Sequence, residues 1–215
     1  LAQPLKEAGV QRINLSIDTL DAKKYAHITR WGTLERALQG LDAALNAGFE
    51  KIKINSVLIG GFNDDEIPAL AELTRRYPVD VRFIELMPMQ EHDEFGEAAF
   101  LPCAEVPRRL PELKKLPFDG SDVKLYELPG ALGQVGLISP LSSHFCGRCN
   151  RIRLTADGKL KPCLHSKEEI SIKGLHFEAM KQALREAIMK KPACHGALSA
   201  HERSEAGRNM NQIGG

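Results

Sequence analysis

Residues 51–59 read Lys-Ile-Lys-Ile-Asn-Ser-Val-Leu-Ile (KIKINSVLI). The alternation sets Lys53 and Asn55 on one face and Ile52 and Ile54 on the other, the period of a β-strand. Residues 12–18 (RINLSID) repeat it, with Asn14, Ser16 and Asp18 opposing Ile13, Leu15 and Ile17. A third strand-like stretch covers residues 81–87 (VRFIELM). Two helical patterns lie between them. Leu34, Ala37, Leu38, Leu41, Ala44 and Leu45 recur at helical spacing, with Thr33 as N-cap and Gly48 just past the end. The second pattern runs from residue 63 to 77, opening on Asn63 and Glu66 as a capping box, with Ile67, Leu70, Ala71 and Thr74 as its buried stripe.

Strand, helix, strand, helix, strand at this spacing predicts parallel βαβ units with right-handed crossovers, an α/β fold. Strands of an open α/β sheet covered on both sides are apolar throughout. A polar face therefore favours a partial TIM-type barrel whose lumen holds a polar ligand, over an edge pair with one solvated face. Residues 90–122, rich in Pro, Glu and Lys, read as a linker or crossover. Gly130, Gly133 and Gly136 lead into a strand over residues 134–139 and are read as turns, because no helix signal follows them. Residues 175–191 form an amphipathic helix with a basic end. The expected division is 1–89 as the barrel portion, 90–122 as crossover, and 123–215 as a smaller C-terminal domain carrying a cysteine-bearing β-hairpin.

The 215 residues carry 29 basic and 28 acidic side chains, a net charge of +1, which excludes a general polyanion-binding surface; no nucleic-acid partner is expected. No run approaches the roughly 18 apolar residues of a membrane span and no leader pattern is present, so a cytoplasmic protein without a membrane partner is expected. The chain opens on Leu1, and residues 1–9 read as the tail of a helix closing on a glycine, so the start of the protein is expected upstream. Gly214 and Gly215, taken alone, read as a frayed end.

Three of the five cysteines form the specific signal: Cys146 and Cys149 two residues apart, then thirteen residues to Cys163. Two thiolates presented from one tight loop are half of a zinc or iron–sulfur site. The intervening residues are a hairpin. A three-residue turn with Gly158 in the left-handed conformation sorts its faces, pairing Leu154 with Leu160 and Ile152 with Pro162. Arg151 then opposes Cys163 and Arg153 opposes Lys161. Thiolates with cations beside them suit a cluster next to an anionic ligand. Zinc is nonetheless the commoner metal for this ligand set and the one the residues alone favour, as a closed Cys3His site completed by His144 or His165 in a non-catalytic module that binds a nucleotide or a protein. Cys103 and Cys194 have no partner at ligand spacing and read as ordinary thiols. Trp31, Met180 and Met189 read as packing residues.

The run FCGRCNRIRLTADGKLKPCL, the strand words NLSID, KIKIN and FIELMPM, and the ending IGG together resemble the molybdenum-cofactor biosynthesis protein A family, the radical S-adenosylmethionine (SAM) GTP 3',8-cyclases. The resemblance spans most of the chain and is weakest from about residue 90 to 122. It implies a lyase that converts GTP to 3',8-cyclo-7,8-dihydro-GTP, the first step toward cyclic pyranopterin monophosphate, on a radical SAM barrel. A [4Fe-4S] cluster on Cys146, Cys149 and Cys163 would face the guanine. Ser16 and Met87 would contact SAM. Lys53 would contact GTP, as would Arg151, Ile152 through its backbone, and Arg153; Arg82 is a further anion-binding candidate. Arg151, Arg153 and the tail glycines Gly214 and Gly215 would serve the reaction itself. In the family a first cluster cleaves SAM, the adenosyl radical takes the hydrogen from C3' of GTP, and the ribose radical attacks C8. Implied partners are GTP, an electron donor, a downstream cyclic pyranopterin monophosphate synthase and a second copy in a homodimer. One departure is plain. The family's other [4Fe-4S] cluster hangs on a Cys-x3-Cys-x2-Cys loop, and the five cysteines contain none at that spacing, so that cluster is expected on a missing N-terminal segment and this chain is expected to be inactive alone.

Overall fold

The computed structural model describes residues 1–89, 95–194, 204–208 and 212–213. The chain divides into two compact units, Leu1–Leu86 with Ala98–Ser142, and Met87–Glu97 with Ser143–Gly215. The first unit contains α1 (Ala2–Glu7), β1 (Arg12–Ser16), α2 (Ala22–Thr29), α3 (Leu34–Asn46), β2 (Lys51–Leu58), α4 (Ile67–Arg76), β3 (Val79–Glu85), α5 (Glu105–Arg109), β4 (Lys114–Lys115), β5 (Lys124–Glu127) and β6 (Val135–Ile138). Its sheet has the order β1-β2-β3-β6-β5-β4. The first four are parallel neighbours and the last three antiparallel, so the sheet is mixed but rich in parallel pairs.

Thr33 caps α3 as its spacing predicts, accepting from the Arg36 amide at 3.4 Å, and Gly48 follows the helix with φ +70°. The Asn63–Glu66 pair departs from expectation. A short 3-10 turn over Asp64–Glu66 precedes α4, and Asn63 makes no side-chain cap. Its carboxamide is fully buried, accepting from the Ile59 amide at 2.8 Å and donating to the Asp18 and Val57 carbonyls at 2.7 and 2.8 Å. Glu66 turns to the loop after β1, accepting from the Thr19 hydroxyl and the Leu20 amide. Both residues thus fasten the chain segments that follow β1 and β2.

The apolar stripes of α3 and α4 bury Leu41, Ala44, Ile67, Leu70 and Ala71 in one core with Ile52, Ile54, Val81, Phe83, Val135 and Leu137 of the sheet. Residues 90–122 are only partly a crossover. Cys103, Val106 and Leu110 join this core, and β4 adds an edge strand. The contact division also keeps β5 and β6 with the sheet, where a boundary at residue 122 would separate them. Gly130, with φ +77°, lies in the turn before β6, and a side chain at Gly133 would collide with the Val79 carbonyl at 1.9 Å. These glycines serve the turn, as read from the sequence.

The second unit holds β7 (Arg153–Leu154), β8 (Lys159–Lys161), β9 (Ile170–Ser171) and α6 (Phe177–Met189), its strands forming a three-stranded antiparallel sheet in chain order. No helix among the described residues is long and apolar enough to cross a membrane.

Candidate functional site

In the first unit the parallel register sets Asn14 beside Lys53 and Lys53 beside Asp80, then Ser16 beside Asn55, Asn55 beside Arg82 and Arg82 beside Gly136. Adjacent residues of parallel strands share a face, so these side chains form one polar surface opposite the core. It is electropositive. Burial first, and then the Arg82 guanidinium, lower the pKa of Lys53, with Lys51 and Arg12 acting in the same direction. Asp80 offsets part of this charge; it pairs with Lys51 at 2.9 Å and accepts from the Gln134 amide at 3.1 Å. The Asn55 Oδ1 is buried without a hydrogen-bond partner, the one such side-chain atom among the described residues. A buried acceptor left unpaired costs free energy that a donor on a bound ligand would recover. Ser16 and Lys53 thus lie on this polar, electropositive surface. The third strand begins two residues earlier than read from the sequence and stops at Glu85. Met87 therefore lies beyond it, half-buried, in the second unit.

In the second unit Cys146–Arg148 form a 3-10 turn, closed by the Cys149 amide donating to the Cys146 carbonyl at 3.1 Å. One turn thereby presents both thiols. The hairpin pairs Arg153 with Lys161 and Leu154 with Leu160. Gly158 adopts φ +80° and its amide reaches the Thr155 carbonyl at 3.0 Å, so the observed register is the one with a three-residue turn. Arg151 is exposed and Arg153 half-buried. Burial, then the Arg151 charge, lower the pKa of Arg153, while Cys149 and Cys163 act on it in the opposite direction. These four groups therefore share one neighbourhood. Lys161 is different: it is fully buried, donating to the Ser166 carbonyl at 2.6 Å and the Ala206 carbonyl at 3.3 Å and facing Glu169 at 3.5 Å. It is a structural cation, where the hairpin pairing alone had grouped it with the site's arginines.

Sequence spacing missed Cys194. The neighbouring Cys146, then burial and the charge of Cys163, raise the pKa of its thiol, which puts it close to these cysteines. A whole helix separates it from the other cysteines in sequence, so no ligand motif could reveal it. Cys103 lies in the first unit, its Sγ within 3.5 Å of the Phe83 carbonyl and 3.4 Å of the Ile138 carbonyl, and burial pushes its thiol up to about 12. It is an inert core residue.

Cys146, Cys149 and Cys163 are free and half-buried. Among the described residues no three His, Cys, Asp or Glu side chains are drawn together as the site of one metal ion. A lone zinc would hold its thiolates only about 3.8 Å apart. His165, offered for such a site, is buried with Nδ1 bound to the Ser204 hydroxyl at 2.8 Å, and His144 is exposed. Free thiols on two segments, two of them from one turn, are a donor set that an iron–sulfur cluster takes, as a zinc ion also does.

Gly214 and Gly215 lie outside the described residues. Ile213, just before them, is fully buried, and Arg208 grips Glu169 at 2.5 and 2.8 Å and Asp157 at 2.9 Å. The bond to Arg208 is the main cause that pulls the Glu169 carboxyl from 4.5 to about 2. A carboxyl depressed in this way stabilises the fold above its unfolded value and loses that contribution as pH falls through the folded one. Amide exchange over residues 204–208, corrected for intrinsic rates, should be flat from pH 8 to about 5 and should accelerate between about 4.5 and 2. Unchanged protection at pH 2 would contradict this anchoring.

A family model described as Molybdenum Cofactor Synthesis C matches residues 79–197, and one described as the Radical SAM superfamily matches residues 1–74. The chain is similar to the GTP 3',8-cyclase of Alkaliphilus oremlandii (strain OhILAs), 48% identical over 219 residues that cover 100% of this chain and 68% of that protein. It is 46% identical to that of Alkaliphilus metalliredigens (strain QYMF) over 217 residues, 99% of this chain and 68% of the relative. A third, from Pelotomaculum thermopropionicum, is 44% identical over 225 residues, again covering 100% of this chain and 68% of the relative.

Proposed function

The chain belongs to the GTP 3',8-cyclase family of molybdenum cofactor biosynthesis, radical SAM enzymes that use SAM and [4Fe-4S] clusters, and from that premise we propose how its residues serve the conversion of GTP to 3',8-cyclo-7,8-dihydro-GTP. The sheet unit, Leu1–Leu86 with Ala98–Ser142, is the C-terminal portion of a radical SAM barrel. Cys146, Cys149 and Cys163 hold a [4Fe-4S] cluster; when bound, it supplies an iron open to the guanine base. Arg151 and Arg153 bind GTP, with the Ile152 backbone between them. Desolvating a polyphosphate needs fixed positive charge, and guanidinium forks match its oxygens. On the sheet, Lys53 binds GTP, Ser16 binds SAM, and Asn55 and Arg82 complete the polar surface. Met87 contacts SAM, and Gly214 and Gly215 reach the reacting nucleotide. No residue of this chain is assigned to the SAM-cleaving cluster, because no Cys-x3-Cys-x2-Cys spacing occurs among its five cysteines. An electron donor and a cyclic pyranopterin monophosphate synthase are the expected partners, in the cytoplasm, with the enzyme itself a homodimer.

The observation that carries this reading is the closeness of the two arginines to the cysteines: one ammonium, Lys191 Nζ, touches both the Cys149 sulfur and the Arg151 carbonyl, and Arg153 follows two residues on, within reach of the charges of Cys149 and Cys163. A purely structural thiolate site has no use for two arginines, whereas an anionic substrate does. Titration of GTP into the cluster-loaded chain tests it. Arg153→Ala should weaken binding about 10- to 100-fold, the worth of a charge-assisted hydrogen bond, with iron content unchanged. Equal affinity in the variant would overturn the assignment.

A further inference from the structure

Lys191 leaves the C-terminal end of α6 and places its ammonium against the cysteine unit. Nζ lies 3.5 Å from the Cys149 sulfur, 2.8 Å from the Arg151 carbonyl and 3.3 Å from the Pro162 carbonyl. An ammonium has three protons, and here each has an acceptor. The two carbonyls come from opposite arms of the hairpin, one before β7 and the other after β8. Each also neighbours a candidate ligand: Arg151 follows Cys149 by two residues, and Pro162 immediately precedes Cys163. The helix itself buries little. Its buried residues are Ala183 and Ala187, while Phe177, Ile188 and Met189 are exposed.

We propose that Lys191 is a positioning residue of the cysteine centre: it clasps the mouth of the hairpin, setting the spacing of Cys149 and Cys163, and its charge on the Cys149 sulfur favours the reduced form of the cluster. This rests on the ligand set assigned above. A lysine suits the task because its compact charge and three rotatable donors reach acceptors in different directions, which a planar fork cannot. Reduction adds negative charge to a cluster, and hydrogen bonds to its sulfurs stabilise that charge and raise the potential.

Two measurements on the full chain separate the clasp from the charge. Amide exchange of the metal-free chain needs no cluster. Lys191→Met should accelerate exchange over residues 151–154 and 160–164 by about tenfold, the effect of losing ordinary hydrogen bonds. In the chain reconstituted without oxygen, an EPR-monitored redox titration should place the midpoint of Lys191→Met below that of the parent, and Lys191→Arg, which keeps the charge, should restore most of the difference. Unchanged exchange and midpoint in Lys191→Met would overturn the proposal. Faster exchange with an unmoved midpoint would overturn it too, leaving a structural clasp. Should the parent take up no iron, the ligand assignment fails instead, and the exchange comparison still decides the clasp.

Discussion

Cys163→Ala, purified without oxygen, should lose the iron of the cysteine unit, falling from about four atoms per chain to near none, and with it any change in the EPR spectrum on adding GTP. The reason is geometric. Cys146 and Cys149 come from one 3-10 turn, whereas Cys163 follows the far strand of the hairpin, so it alone closes the ligand set from a second segment. Two thiolates on one loop cannot hold a cluster that three are needed to anchor. Cys194, close to Cys146, makes the comparison sharper. Cys194→Ser should keep its iron. The reverse pattern, with iron retained in Cys163→Ala and lost in Cys194→Ser, would show that the ligands are misassigned.

The second large effect concerns stability. Glu85 ends β3, its side chain is fully buried, and no cation among the described residues pairs with it. Oε1 accepts from the Cys103 amide at 3.0 Å, and Oε2 accepts from the Leu141 and Ser142 amides at 3.0 and 2.9 Å. The Ser142 hydroxyl donates to Oε1 as well. One carboxylate thus ties the end of β3 to the loop before α5 and to the segment after β6. Removing it leaves several buried donors dry, at about 1–3 kcal/mol each. Glu85→Ala should therefore destabilise the sheet unit by about 3–5 kcal/mol, a large share of an ordinary domain's total stability. Denaturant unfolding followed by far-UV circular dichroism reads this directly, and Glu85→Gln, which keeps one acceptor, should lose less. A change below about 1 kcal/mol would mean that water replaces these bonds.

What could be read from the sequence was whatever depends on near neighbours. The alternation of KIKIN placed Lys53 and Asn55 on a common face, Thr33 and Gly48 bounded α3, and apolar sorting with Gly158 chose the hairpin register. Features settled by distant partners were not legible. Asn63 and Glu66 have the spacing of a capping box, but each finds partners across the fold, and those bonds win. The third strand reads from residue 81, yet Asp80 belongs to β3, its carboxylate satisfied by Lys51 and the Gln134 amide. The helix α2 went unread because Tyr25 is its only buried residue, too little to give a periodic stripe. Cys194 and Lys191 lie beyond α6 in sequence, so spacing rules could not bring them to Cys146 and Cys149. The residues gathered at this centre come from three separate segments, and two of those could be recognised from local pattern.

Metal content and the EPR spectrum of this chain, purified without oxygen and measured with and without GTP, test the central claim most directly. The ligand assignment predicts about four irons per chain and a spectrum that GTP perturbs. One tightly held zinc and no response to GTP would contradict it.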